Sequence, residues 1–206
     1  MEVLKLKRTG LDWNVNDMKI EVKQITPWSL ALDMARQTVG KEPTHKEPSD
    51  EWKIKMLRAE HSPIRCVQYL ITCIDVPYWV VMHLVRHHQG IEKFVCTQRS
   101  DRTGVDRHKL PQDALISCSF ICNAQALINI SRVRLCMQAA DETRQLWWKV
   151  KNIMEHIDPI MWRFMVPNCI YRGFCPEFKG CGLSKTVPFE HRLNEYRYGK
   201  DDTTTK

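Results

Sequence analysis

The sequence lacks any long apolar run. No stretch of about 18 apolar residues occurs, so no helical membrane span is expected. The opening residues, Met1-Glu2-Val3-Leu4-Lys5-Leu6-Lys7-Arg8, hold no apolar segment of the length a signal peptide needs. No block of five or six Lys and Arg is present, and aromatic residues do not alternate with basic ones. A dedicated nucleic-acid module is therefore disfavoured. There is also no internal repeat and no low-complexity tract.

What is present points to one core. With 206 residues, 43% of them hydrophobic, the chain can bury one sizeable core, or one domain with an appended tail. The nine cysteines are odd in number and spread through apolar segments. Free thiols in a reducing, cytoplasmic compartment are the simpler reading. The net charge of +7 suits a phosphorylated small molecule or nucleic acid, and equally an ordinary mildly basic enzyme.

Patterning gives the elements. Residues 1–25 alternate loosely and predict a strand near Met18 to Ile25. Thr26-Pro27 reads as an N-cap followed by proline at the first helical position, opening a helix over 28–39 that stops at Gly40. Residues 41–48 carry two prolines and predict a loop; a second helix is expected over 49–60. After a turn at His61-Ser62-Pro63, residues 66–74 are rich in β-branched residues and predict a strand, and Pro77 opens a helix to about residue 88. Residues 100–113 read as a loop. The longest helical pattern runs over 123–157, with Leu127, Ile130, Val133 or Arg134, Met137, Leu146, Val150, Ile153 and Ile157 at helical spacing. Its length exceeds the usual range, which predicts a break near Ala140.

The most informative stretch is 86–102. An apolar run from Ile74 to Val85 delivers Arg86, His87 and His88 to its end; a turn at Gly90 and a second polar cluster, Thr97-Gln98-Arg99, follow. Donors this dense at the edge of a core suit an anionic ligand with planar rings, such as a nucleotide or flavin phosphate. Other readings compete for single residues. His83 and His87 lie four apart, as helical zinc ligands do, but no His-Glu-x-x-His pattern exists, so imidazoles lining a pocket are preferred and no metal site is assigned. Cys169, Cys175 and Cys181, with His191, admit a zinc-stapled tail, against a default of incidental thiols. Cys96, beside basic residues, is a candidate nucleophile. Trp147-Trp148 reads as core and subunit interface, and residues 166–177 as a packing turn able to close over a neighbouring active site.

The order of these pieces resembles the flavin-dependent thymidylate synthases (ThyX). That family closes a helix with Arg-His-Arg and follows it with a Ser-Gln-Arg cluster; this chain has Arg86-His87-His88 and Thr97-Gln98-Arg99. Downstream, the family's Asn-x-Arg, Asn, Arg series is matched by Asn123-Ala124-Gln125, Asn129 and Arg134, and its Ala-Gln-x-Glu-Ile-Arg by Ala139 to Arg144. Glu60-His61-Ser62-Pro63 is a weaker third match. On one continuous helix Asn123 and Arg134, eleven apart, share a face. The chain departs from the family at His88 and Gln125, each removing a cation, and at His83, where the family has Gln.

The resemblance implies an α/β (α+β) ThyX-like fold: a central antiparallel or mixed sheet flanked by helices, with one long C-terminal helix. It implies a domain over 1–165 that binds flavin and nucleotide, beside which 166–198 reads as a Cys/Gly/Pro-rich extension and 199–206 as a disordered tail. Arg86, His87, His88, Asn123 and Asn129 are implied to contact FAD. His83, Thr97, Gln98, Arg99 and Arg134 are implied to bind a pyrimidine nucleotide, with Arg134 catalytic in favouring charge on the ring oxygens. The implied reaction is reductive methylation of dUMP at C5 to dTMP, with methylenetetrahydrofolate, FAD and NAD(P)H, in a homotetramer whose flavin lies between subunits. The alternatives are hydroxymethylation of dUMP or dCMP on the same fold, and a nucleotide binder without catalysis.

Overall fold

The computed structural model describes residues 17–199. Four strands, β1 (Lys19–Gln24), β2 (Gln68–Pro77), β3 (Ile91–Val95) and β4 (Leu115–Asn123), form one antiparallel sheet in the order β1-β2-β4-β3. The central strands alternate in burial. Tyr69, Ile71, Cys73 and Val76 of β2, with Ile116, Cys118, Phe120 and Cys122 of β4, lie on the core face. A register shift between Cys73 and Val76 interrupts β2, and there Asp75 takes a positive φ of 59°.

Sequence patterning left β3 and β4 unassigned. In β4 the outward positions Leu115, Ser117, Ser119 and Ile121 are small or apolar and half-buried, so the polar half of the alternation is muted. β3 is short and carries Glu92 and Lys93.

The helices are α1 (Trp28–Gln37), α2 (Asp50–Arg58), α3 (Tyr78–Val85), the single turn α4 (Ser100–Thr103), α5 (Ala124–Arg134), α6 (Asp141–Ile157), α7 (Pro159–Phe164), α8 (Asn168–Arg172) and α9 (Val187–Tyr198). None of the described helices is long and apolar enough to cross a membrane. Pro27, rather than Thr26, occupies the N-cap of α1. Thr26 instead ties the entry to β2: its hydroxyl donates to the Cys66 carbonyl at 2.6 Å and accepts from the Gln68 amide at 2.7 Å. The expected loop over 100–113 contains α4, and helix α3 ends earlier than residue 88, leaving Arg86 as its cap.

The 123–157 pattern is two helices, with the break at residues 135–140, where the length argument placed it. The charges fit the ends: Arg132 and Arg134 close α5, and Asp141 and Glu142 open α6. Two details differ from a continuous helix. Asn123 ends β4 and caps α5, its Oδ1 accepting from the Ala126 amide at 2.9 Å, so it shares no helix face with Arg134. Of the residues periodicity offered for the apolar face, Val133 is exposed within α5, and Met137 is exposed in the turn at 135–140 that ends the helix.

α6 lays Leu146, Trp147, Val150 and Met154 into the core, and Trp147 donates from Nε1 to Ser131 Oγ at 2.9 Å. Beneath α7, Asp158 caps the helix through the Met161 amide and accepts from two buried donors, Trp28 Nε1 at 2.7 Å and Tyr69 Oη at 2.5 Å. A second, smaller cluster joins Val166, Cys169, Ile170 and Phe189. Gly199 is the last described residue, so the expected tail falls outside the described residues, as does most of the stretch before β1.

Candidate functional site

The end of α3 meets the end of α5. Arg134 donates from Nε to His87 Nε2 at 3.0 Å and from Nη2 to the His83 carbonyl. Two segments 47 residues apart in sequence are thus locked by one guanidinium. His83 Nδ1 pairs with Thr143 Oγ1 of α6 at 2.8 Å, and its ring meets Trp79 edge-on. Lys93 of β3 donates to the His87 carbonyl at 2.8 Å and reaches His88 Nδ1 at 3.3 Å. His83, His87, His88 and Arg134 therefore gather at one place, with exposed Arg86 beside them. Asn123 borders the same region. Its amide donates to the Gly90 carbonyl at 2.9 Å, and a β-carbon at Gly90, where φ is +69°, would run into the Asn123 side chain.

Burial and neighbouring cations lower two of these imidazoles, His83 and His87. Burial, then the charge of Arg134, then His88, Lys93 and Arg86, push His87 down from 6.5 to about 4. Burial, with Arg134 and Arg86, also lowers His83, against an opposing pull from Glu142. A neutral His87 can accept from Arg134, which places its own proton on Nδ1. The consequence for stability has a definite sign. The unfolded chain binds a proton at His87 near pH 6.5 and the folded chain only near 4, so stability is full above about pH 6.5 and declines as the pH falls towards 4. Because the ring is only partly buried, the expected loss between pH 7 and 5 is about 1 kcal/mol. Denaturant unfolding at the two pH values measures it, and His87→Gln, which keeps an acceptor for Arg134, should lose most of that difference. An undiminished difference in the variant would assign the effect to another group.

A second network lies on α5 and was only partly anticipated. Glu60, at the positive φ of 50°, accepts from Gln125 Nε2 at 2.6 Å and pairs with Arg132 Nη2. Asn129 Oδ1 receives Gln125 and Arg132 at 3.4 and 3.3 Å. The Arg132 guanidinium also stacks on the Tyr171 ring, 3.5 Å from its centre. Asn129 thus belongs with Glu60 and Arg132, not with Arg134, since five residues of helix turn them to different faces. Arg132, Tyr171 and Lys93 were missed by sequence reasoning. Glu60 had been noticed in the Glu60-His61 match, and a cation seven residues after Gln125, two helical turns on, was the available signal for Arg132.

Thr97, Gln98 and Arg99 lie past the far end of β3. With Gly90 and the imidazoles at the near end, about 13 Å of strand separates the clusters. Arg99 forks onto Asp101 at 3.0 and 2.7 Å, both side chains exposed. Thr97 Oγ1 accepts from the Arg99 amide at 3.2 Å, and Gln98 Nε2 is buried with no partner among the described residues. Cys96 is exposed at this same end, away from the imidazoles.

No family model matches the chain. A stretch of 64 residues, 31% of the chain, is 33% identical to a flavin-dependent thymidylate synthase of Sulfurisphaera tokodaii, and it spans only a quarter of that relative's length (25%). Among solved structures, the UMP/dUMP methylase PolB of Streptomyces cacaoi bound with 5-Br dUMP superposes with a TM-score of 0.55 at 14% identity, covering 71% of this chain and 94% of PolB. The same methylase bound with 5-Br UMP gives 0.54 at 13% identity, covering 72% and 93%. The chain thus has a 64-residue stretch similar to a flavin-dependent thymidylate synthase, and a fold also seen in a nucleotide methylase.

Proposed function

We propose that the chain methylates dUMP at C5 to dTMP, using FAD, methylenetetrahydrofolate and NAD(P)H, as a cytoplasmic homotetramer. The observation that carries this reading is the Arg134 lock on His83 and His87, which joins the two motifs on which the resemblance rests. The donor set fits an anionic cofactor with planar rings. Arg86 and His88 are exposed, Lys93 stands beside them, and His87 stays neutral. Arg86, His88 and Asn123 are the residues proposed to hold FAD, with His87 and Asn129 behind them. Redox equivalents come from flavin and the one-carbon unit from folate. The chain's own part is to bind, orient and supply a field. A guanidinium already oriented by two bonds, as Arg134 is, needs little reorganisation to favour charge on the pyrimidine oxygens.

The separation of the clusters supports association of subunits. Thr97, Gln98 and Arg99 are assigned to the nucleotide phosphate, yet they stand at the opposite end of β3 from the imidazoles. A site using both is completed by a second subunit. The sheet face carrying Leu70, Ile121 and the exposed Phe94 supports such an association. A second reading, methylation of UMP as well as dUMP, is favoured by the likeness to a methylase bound to both bromo-nucleotides.

The test is a visible absorbance spectrum of the purified protein before and after adding FAD and desalting. A retained oxidised-flavin band is expected, followed by product formation from dUMP. Folded protein that holds no flavin at saturating FAD would sink the proposal and leave nucleotide binding alone to be examined. Comparing product from dUMP and UMP then decides the second reading.

A further inference from the structure

Two adjoining cavities lie away from the imidazole cluster. The larger, about 510 Å³, opens between the end of α5 and the segment after α8; the smaller, about 210 Å³, lies between α6, α7 and α9. Trp148, Pro167 and Arg192 line both. The larger is mostly apolar. Four free cysteines line it, Cys136, Cys169, Cys175 and Cys181, whereas His191, grouped with the last three by spacing, does not. No three ligating side chains among the described residues stand close enough to hold an ion, and these thiols count as apolar wall.

The smaller cavity holds a buried cation. Lys151 of α6 is 9% exposed, and its single hydrogen bond among the described residues goes to the Met165 carbonyl at 2.7 Å. No ion pair among the described residues includes it. An ammonium carries three donors, and tying the turn after α7 uses one of them. Its neighbours are indole faces: Nζ lies 5.4 Å from the centre of the Trp148 ring and 5.0 Å from that of Trp162. The Trp162 N–H is itself buried with no acceptor among the described residues. Arg163 and Arg192 line the same cavity, and Glu195 is the carboxylate in that lining, so three cations share the space with one anion. Burial, then Arg192, push Lys151 down from 10.5 to about 8, with Glu195 and Glu155 pulling the other way. A cation held in this way is favoured by an anion that enters from the cavity.

We propose that the paired cavities bind an aromatic carboxylate, its acid group at Lys151 and Arg192 and its ring system against Trp148 and the apolar lining of the larger space. Trp148 and Arg192 border both spaces, so one molecule can meet the ammonium and the apolar wall together. A carboxylate suits the small end better than a phosphate dianion. Indole rings, Val166, Pro167 and Ile170 compensate little of a dianion's larger hydration, and Glu195 repels its second charge. Arg192 can grip a carboxylate with two parallel N–H groups, and Lys151 adds a point charge. The combined space is of the size that small organic ligands occupy. None of the lining belongs to the imidazole cluster, so the site stands independently of the proposed reaction.

The test is calorimetric titration of the full chain with 2-naphthoate, the uncharged 2-naphthylmethanol and inorganic phosphate. 2-Naphthoate should bind saturably at one site per chain and quench tryptophan fluorescence. The alcohol should bind about tenfold more weakly or worse, and so should 2-naphthoate to Lys151→Met and to Arg192→Gln. Arg192 is exposed, so its variant leaves the core intact and decides the matter even should Lys151→Met fail to fold. No saturable binding of 2-naphthoate would overturn the proposal whole. Equal affinity for acid and alcohol would overturn the anion end, and unchanged affinity in either folded variant would overturn the placement. Phosphate bound more tightly than 2-naphthoate would overturn the ligand class. Competition by FAD or dUMP would overturn the site's independence of the proposed reaction.

Discussion

Asp158→Ala is expected to destabilise the fold by about 4–5 kcal/mol, a large share of what holds a domain of this size together. The carboxyl receives three donors that have no water to turn to: Trp28 Nε1, Tyr69 Oη and the Met161 amide. Trp28 is 2% exposed and Tyr69 0%. Each buried donor left without an acceptor costs about 1–3 kcal/mol, and loss of the α7 cap about 1 more. These terms overlap because the donors share one group, so the expected total lies below their upper sum. Burial, then the neighbouring Asp158, raises the Tyr69 phenol well above its ordinary value, so Tyr69 stays a donor at any working pH. Denaturant unfolding of Asp158→Ala and Asp158→Asn measures the effect. Asparagine keeps one oxygen acceptor and should recover part of the loss. A shift under 1 kcal/mol in the alanine variant would mean that the donors find other partners.

Arg134→Ala is expected to weaken nucleotide binding by about 1.5–3 kcal/mol, roughly 10- to 150-fold, as for a charged hydrogen bond lost. Arg99→Ala should fall in the same range by removing a phosphate contact. The two variants differ in side effects. Arg134 ties His87 and the His83 carbonyl, so its removal also loosens α3 against α5. Arg99 gives up only an exposed ion pair with Asp101, which contributes little to folding. Lysine at 134 cannot replace two divergent donors and should rescue poorly. Calorimetric titration with dUMP measures both. If the residues meet across subunits, assemblies mixed from the two variants regain about one quarter of the sites intact. Unchanged affinity in both variants would sink the assignment of these residues to the nucleotide, and mixtures with no recovery would place them outside a shared site.

The C-terminal half shows where sequence reading stopped. Periodicity found the helices of 123–157 and the length argument found their break, because amphipathic spacing and end charges are local properties. β4 was invisible for the opposite reason: its outward face, Leu115 to Ile121, is half-buried and alternates small serines with large apolar residues, which mutes the period-2 pattern. The motif implied a cofactor contact for Asn129, but only the tertiary structure shows it accepting from Gln125 and Arg132, the two residues that also meet Glu60. Cys136 could not be joined to Cys169, Cys175 and Cys181 from spacing, since nothing in a 33-residue gap says that it closes.

By itself, the sequence determined most helices, the two inner cation- and imidazole-bearing segments and the candidate residue types, all of which rest on short-range patterns. Tertiary structure alone decided which of these meet. It locked Arg134 onto His83 and His87, sent Arg99 to the other end of β3, drew Arg132 and Tyr171 together, and gathered four thiols around one cavity. The physical reason is that contact between distant segments depends on strand order, helix rotation and turn direction, and none of these is written in the spacing of residues along the chain.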